Sequence, residues 1–111
     1  DPWGWYRGQC VSLVKRWLQF NKWPMRRGNA IDWVNNGYEG YKFLKNTPTF
    51  VPTPGDMAIF QTGTYGHIGI VVTATVNSMK VFQQNDGIGS PAHIKQYNYV
   101  SPRCIGFLRK L

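Results

Sequence analysis

The sequence is short of acidic residues, cysteine and histidine. Of its 111 residues only 5 are Asp or Glu, 2 are Cys and 2 are His. Two cysteines cannot make a disulfide scaffold; they allow at most one bridge, Cys10 to Cys104. The two cysteines and two histidines stand far apart without zinc-ligand spacing, and no calcium loop of the helix–loop–helix kind is present, so no metal or other cofactor is expected. No run of about 18 apolar residues occurs, so no membrane-spanning helix is expected. Internal repeats and low-complexity tracts are absent. No leader-like segment opens the sequence, which starts abruptly at Asp1, and this leaves the compartment open.

What is present is basic and aromatic. Lys and Arg number 13, for a formal charge of +8. Such a surface favours polyanions such as nucleic acid, anionic lipid or acidic wall polymer, with plain solubility as the alternative. The basic residues are scattered, with pairs only at Lys15-Arg16, Arg26-Arg27 and Arg109-Lys110. No zinc-finger spacing or arginine-rich arm appears, so nucleic acid is not an expected partner. A length of 111 residues with 42% hydrophobic content suits one domain with one core.

The periodicity changes half-way. Val11, Val14 and Leu18, with Leu13, Trp17 and Phe20, keep helical spacing and predict a helix from near Gln9 to about Phe20, broken by Pro24 and Gly28. A second short helix is expected over Ala30 to Asn35, capped by Asn29 and followed by Gly37. Residues Tyr38 to Val51 read as irregular, and Pro48, Pro52 and Pro54 reinforce that reading. Strands are then expected at Asp56–Phe60, His67–Ala74, Met79–Gln84, Ile94–Tyr99 and Cys104–Leu108. Helices followed by an antiparallel sheet make an α+β fold.

Three residues form a candidate catalytic constellation. Cys10 lies at the start of the first helix, where the unpaired N–H groups and the helix dipole stabilise a thiolate; an unaided thiol has a pKa of about 8.5. A hairpin centred near Val76 pairs residues whose numbers sum to about 152. This sets Asn85 opposite His67 and Gln83 opposite Gly69, all on one face. Nucleophile, base and orienter are the parts of thiol acyl transfer: Cys10 attacks, His67 takes its proton, and Asn85 holds the ring. The Cys10 N–H with Gln9 would face the oxyanion. Gln83 either steadies His67 or lines the cleft. Trp5 and Tyr6, with Trp3, are candidates for a cleft wall, with core filling as the alternative. Gly66 and Gly69 remove side chains near His67, which suits substrate approach. Asp56, after the Pro54-Gly55 turn, reads as a structural residue that bonds nearby backbone N–H groups. His93 reads as a surface loop residue and Cys104 as a buried, inert thiol.

The run Trp5-Tyr6-Arg7-Gly8-Gln9-Cys10-Val11 resembles the CHAP family, the cysteine, histidine-dependent amidohydrolase/peptidases. So do Gly28-Asn29-Ala30, Pro54-Gly55-Asp56-Met57-Ala58-Ile59-Phe60, Tyr65-Gly66-His67-Ile68-Gly69-Ile70-Val71, Val81-Phe82-Gln83-Gln84-Asn85 and Gly106-Phe107-Leu108-Arg109. The resemblance covers nearly the whole chain. It implies a papain-like, NlpC/P60-related fold with N-terminal helices on an antiparallel sheet. It also implies hydrolysis of an amide bond in bacterial peptidoglycan, as in phage lysins and bacterial autolysins. By motif Cys10 takes the nucleophile's place and His67 the base's. Many phage members carry Glu-Gln-Asn where this chain has Gln83-Gln84-Asn85, so a glutamate is replaced by Gln83 and the asparagine is kept.

Some phage members bind calcium before the nucleophile. Asp1 matches one ligand, but Trp3, Arg7 and Ser12 stand at the other positions, and no calcium is expected here. The resemblance further implies that residues 1–111 form one catalytic domain lacking its extreme N-terminal helix. This domain is expected to be monomeric, often linked to a wall-binding domain, and to act on Gram-positive peptidoglycan from outside the cell or by phage delivery. Teichoic polyanions would suit its charge. An inactive wall-binding or structural module and a general thiol peptidase are the rival readings.

Overall fold

The computed structural model describes residues 10–23, 40–61, 66–83, 92–100 and 103–111, the side chains of residues 10–12 excepted. One helix, α1 (Cys10–Phe20), precedes six strands: β1 (Tyr41–Lys45), β2 (Met57–Gln61), β3 (His67–Ala74), β4 (Met79–Gln83), β5 (His93–Tyr97) and β6 (Arg103–Lys110). The strands form one antiparallel sheet in the order β1-β6-β2-β3-β4-β5. One helix on an antiparallel sheet is an α+β arrangement. The expected helix at Ala30–Asn35 lies outside the described residues, as do Pro24 and Gly28.

Helix α1 buries Val14 and Leu18, one turn apart, and half-buries Leu13 and Trp17 beside them. Phe20, assigned to the same apolar face by spacing, is exposed. The helix stops through backbone geometry. Lys22 takes a left-handed φ of 58°, the Trp23 N–H reaches the Leu18 carbonyl (2.9 Å), and the Lys22 N–H reaches that of Gln19 (3.0 Å). This pairing closes the last turn, and Trp23 then stacks edge-on against Trp17 at 4.8 Å.

The sheet has a core on each face. Met57, Ile59, Ile68, Ile70, Leu108 and Tyr41 pack with Val14 and Leu18 of α1. Ala58, Phe60, Val71, Val81, Tyr97, Cys104 and Phe107 fill the other face. Strand alternation divides neighbours such as Ile70 and Val71 between the two.

Strand β1 corrects the irregular reading of Tyr38 to Val51. Tyr41 and Phe43 alternate inward against the helix-side core, and β1 pairs with β6 from Tyr41↔Lys110 to Lys45↔Gly106. The prolines lie beyond it. Gly106 makes the pairing possible: a Cβ there would stand 2.5 Å from a Phe43 ring carbon. The other five expected strands are present: His67–Ala74 has its expected limits, and the ends of the others shift by at most two residues.

Candidate active site

His67 opens β3. The chain enters through Gly66, whose φ of 74° a side chain would oppose. The imidazole lies on the face away from α1, beside its register partner Phe60, with ring centroids 5.8 Å apart. Only 6% of the residue is exposed.

The hairpin supplies its partner. Strands β3 and β4 join through Thr75–Ser78, where the Thr75 N–H meets the Ser78 carbonyl at 2.7 Å. Towards the site the pairs are Ile70↔Phe82 and Val71↔Val81, the register that the sequence predicts, and an irregularity at Val71/Thr73 separates them from the turn. Continued one step, this register sets Gln83 across from Gly69. A Cβ on Gly69 would lie 2.3 Å from Val81 Cγ1, 3.1 Å from the Phe82 carbonyl oxygen and 3.2 Å from Gln83 Cβ. Gly69 therefore serves close packing inside the sheet, not the approach of substrate. In the space it leaves, the fully buried Gln83 places Oε1 2.8 Å from His67 Nε2.

Gln83 is the hub of a larger cluster. Its Oε1 also accepts the Tyr97 hydroxyl at 2.5 Å, and its Nε2 lies 3.3 Å from His93 Nε2. His93 is the first residue of β5 and pairs with Gln83, so the reading of His93 as a loop residue is corrected. Tyr97 is buried on the same face, 4.5 Å from the Phe60 ring. The amide oxygen only accepts, so Nε2 of His67 carries its hydrogen, and Nδ1 is the basic nitrogen of the neutral ring. The ring nitrogen for which the sequence offers Asn85 is thus bonded to Gln83.

Cys10 is the first residue of α1. Its side chain, with Gln9, Trp5, Tyr6 and Asn85, lies outside the described residues. Helix α1 packs on the Ile68 and Ile70 face, whereas the His67 ring lies beside Phe60 on the other. The other thiol is settled. Cys104 is free and 2% exposed, which rules out the Cys10–Cys104 bridge. Burial pushes its pKa up to about 12, against weaker opposing hydrogen bonds with the backbone of Gly106 and Ile59. Such a thiol is inert.

The profile of the CHAP domain matches residues 1–85, three quarters of the chain, from ahead of Cys10 through His67 and Gln83. The chain belongs to the CHAP family. Over 93 residues it is 37% identical to the endolysin LysK of Staphylococcus phage K, and over 78 residues 37% identical to the endolysin PlyTW of Staphylococcus phage Twort. These matches take in 77% and 61% of the chain but only 19% and 16% of the two relatives. Among solved structures it is similar to the endolysin LysIME-EF1, with a TM-score of 0.78 and 26% identity over 96% of this chain and 55% of that one.

In this CHAP domain the Pro54-Gly55-Asp56 motif is structural. Gly55 has a φ of 93°, and the Asp56 N–H closes the turn onto the Thr53 carbonyl at 3.1 Å. The buried Asp56 carboxylate accepts the Thr53 N–H at 2.9 Å and both Arg109 Nε (2.9 Å) and Nη2 (2.7 Å). The fork ties the start of β2 to the end of β6. Among the described residues no group of three or more His, Cys, Asp or Glu could hold a metal ion, and no helix is long and apolar enough to cross a membrane.

Proposed function

We propose that this CHAP domain is a papain-like cysteine hydrolase that cuts an amide bond of Gram-positive peptidoglycan. The muramoyl–alanine bond and a bond of the stem or cross-bridge peptides are the two candidates. Cys10 is the nucleophile and His67 the base. Gln83 orients the imidazole, and Asn85 acts beside it. Gln9 and the Cys10 N–H face the oxyanion, with Trp5 and Tyr6 on the cleft wall. The observation that carries this reading is the buried 2.8 Å bond between His67 Nε2 and Gln83 Oε1. It favours the tautomer in which Nδ1 accepts a thiol proton. With Cys104 sealed, Cys10 is the thiol left for chemistry.

The steps follow from these roles. His67 Nδ1 takes the Cys10 proton, and the thiolate attacks the carbonyl carbon. The tetrahedral oxyanion collapses as the imidazolium protonates the leaving amine. Water, deprotonated by His67, then cleaves the thioester and releases the acid. The basic surface favours polyanionic walls. Delivery by phage or secretion, a monomeric state and linkage to a wall-binding domain belong to the same proposal, as does the reading of residues 1–111 as one catalytic domain.

Turbidity of purified Gram-positive walls, followed with native protein and with Cys10→Ala, tests it. Clearing by the native protein alone supports the proposal. Equal clearing or none from either contradicts it, and casein cleavage without wall cleavage would make the protein a general thiol peptidase. The replacement of a family glutamate by neutral Gln83 favours a second reading, an inactive wall-binding module, which the absence of clearing would support.

A further inference from the structure

The orienting group here is an amide, and an amide has a direction. A carboxylate offers two equivalent acceptors, so either oxygen can hold the imidazole. A glutamine offers an acceptor on one side and a donor on the other. Turned by half a rotation, the Gln83 NH₂ would donate to His67 Nε2. The ring would then carry its hydrogen on Nδ1, and Nδ1 could not accept a thiol proton. A CHAP domain with glutamine at this position therefore needs something to set the amide's direction.

Two side chains of β5 meet that need. The Tyr97 hydroxyl lies 2.5 Å from Gln83 Oε1, the atom that accepts from His67 at 2.8 Å. His93 Nε2 lies 3.3 Å from Gln83 Nε2 and accepts an amide hydrogen when the His93 ring carries its own on Nδ1. With the Tyr97 hydroxyl and the His67 Nε2–H both donating to the oxygen and a bare His93 Nε2 accepting from the nitrogen, this orientation satisfies all three contacts at once. The contacts of Tyr97 and His93 come from one strand. His93 stands opposite Gln83, and Tyr97, on the same face of β5, leans back along the sheet against Phe60.

We infer that Tyr97 is a positioning residue that, with His93, fixes the direction of the Gln83 amide and so holds His67 in the tautomer able to take a proton on Nδ1. The inference rests on the hydrolase reading for its use in catalysis, but the tautomer itself is measurable in the resting protein.

Nitrogen-15 spectra of the His67 ring test it, in native protein and in Tyr97→Phe. The native ring is expected to carry its hydrogen on Nε2 alone, and Tyr97→Phe is expected to populate the Nδ1–H form. Wall-cleaving kcat should fall by about tenfold with KM nearly unchanged, the rate equivalent of one net hydrogen bond. The loss should shrink to within about twofold in a Gln83→Glu background, because a carboxylate has no direction to lose. If Tyr97→Phe does not fold, His93→Ala, at a half-buried position, should give the same mixing of tautomers. An unchanged His67 spectrum in the folded variant, or an equal loss of kcat with glutamine and with glutamate at 83, overturns the inference. Failure of the native protein to cleave walls contradicts the hydrolase reading instead and leaves the spectra to decide this one.

Discussion

The side chain of Gln83 and the ring of His67 meet inside the sheet, 2.8 Å apart, with Gln83 wholly and His67 almost wholly out of contact with water. The ring opens one strand and the amide closes the next, so a single hairpin sets the pair.

Removing the amide should therefore cost both stability and activity. Gln83→Ala leaves two buried donors, on His67 and Tyr97, without the acceptor they share. Each such loss costs about 1–3 kcal/mol, and urea unfolding should show a drop of about 2 kcal/mol or more. Wall cleavage should fall by about 100-fold, the lower end of what a positioned acid–base group contributes. Asn85→Ala should cost less in rate, because Gln83 holds the Nε2 nitrogen.

Adding one methyl group at Gly69 should disturb the same pair from the opposite strand. The new Cβ would sit 2.3 Å from Val81 Cγ1 and 3.2 Å from Gln83 Cβ. Neither the strand backbone nor a β-branched valine gives way freely. Overpacking of this kind costs about 1–3 kcal/mol. Gly69→Ala should lower the thermal midpoint and reduce wall cleavage, with far-UV circular dichroism retained at room temperature.

Breaking the Arg109–Asp56 fork should be expensive in one direction. Asp56 is 2% exposed and the Arg109 side chain 30%. Arg109→Ala strands a buried carboxylate with only the Thr53 N–H, and should destabilise the domain by about 3 kcal/mol in denaturant unfolding. Arg109→Lys keeps a charge but loses the second nitrogen of the fork, and should recover only part of that loss.

Cys104 should resist thiol reagents until the domain unfolds. In the Cys10→Ala protein, labelling by a maleimide at pH 8 should be absent under native conditions and complete in urea. The folded pKa of about 12 stands above the ordinary thiol value of 9.0. Burial thus favours the protonated form, and its stabilising effect is whole below pH 9. It is lost as the pH rises from 9 towards 12, where the unfolded thiol ionises and the folded one does not. Denaturant midpoints should fall across that window, and less so in Cys104→Ala.

Much of this architecture can be read in the sequence because alternation and turn chemistry are local. His67 to Ala74 alternates between the two cores, and its strand has the expected limits. The hairpin register follows from the short turn at Thr75–Ser78 and holds next to the site. Strand β1 escapes such reading because Tyr41-Lys42-Phe43-Leu44-Lys45 is short, lies at the edge and is followed by prolines. What makes it a strand is the distant partner β6, with room at Gly106 for Phe43.

The cluster around Gln83 is less legible in the sequence for a similar reason. His93 and Tyr97 join it through the β4–β5 register, which no short turn announces. The one local signal is the alternation that puts His93, Lys95 and Tyr97 on one face. Asp56 reads as a structural carboxylate from its turn, but its partner Arg109 lies 53 residues away.

The most direct measurement is mass analysis of fragments released from purified Gram-positive walls by the native protein and by Cys10→Ala. The native digest should gain one new amine and one new carboxylate at a single kind of amide bond, and Cys10→Ala should release neither. Fragments cut at glycosidic bonds, or identical fragments from both proteins, would contradict it.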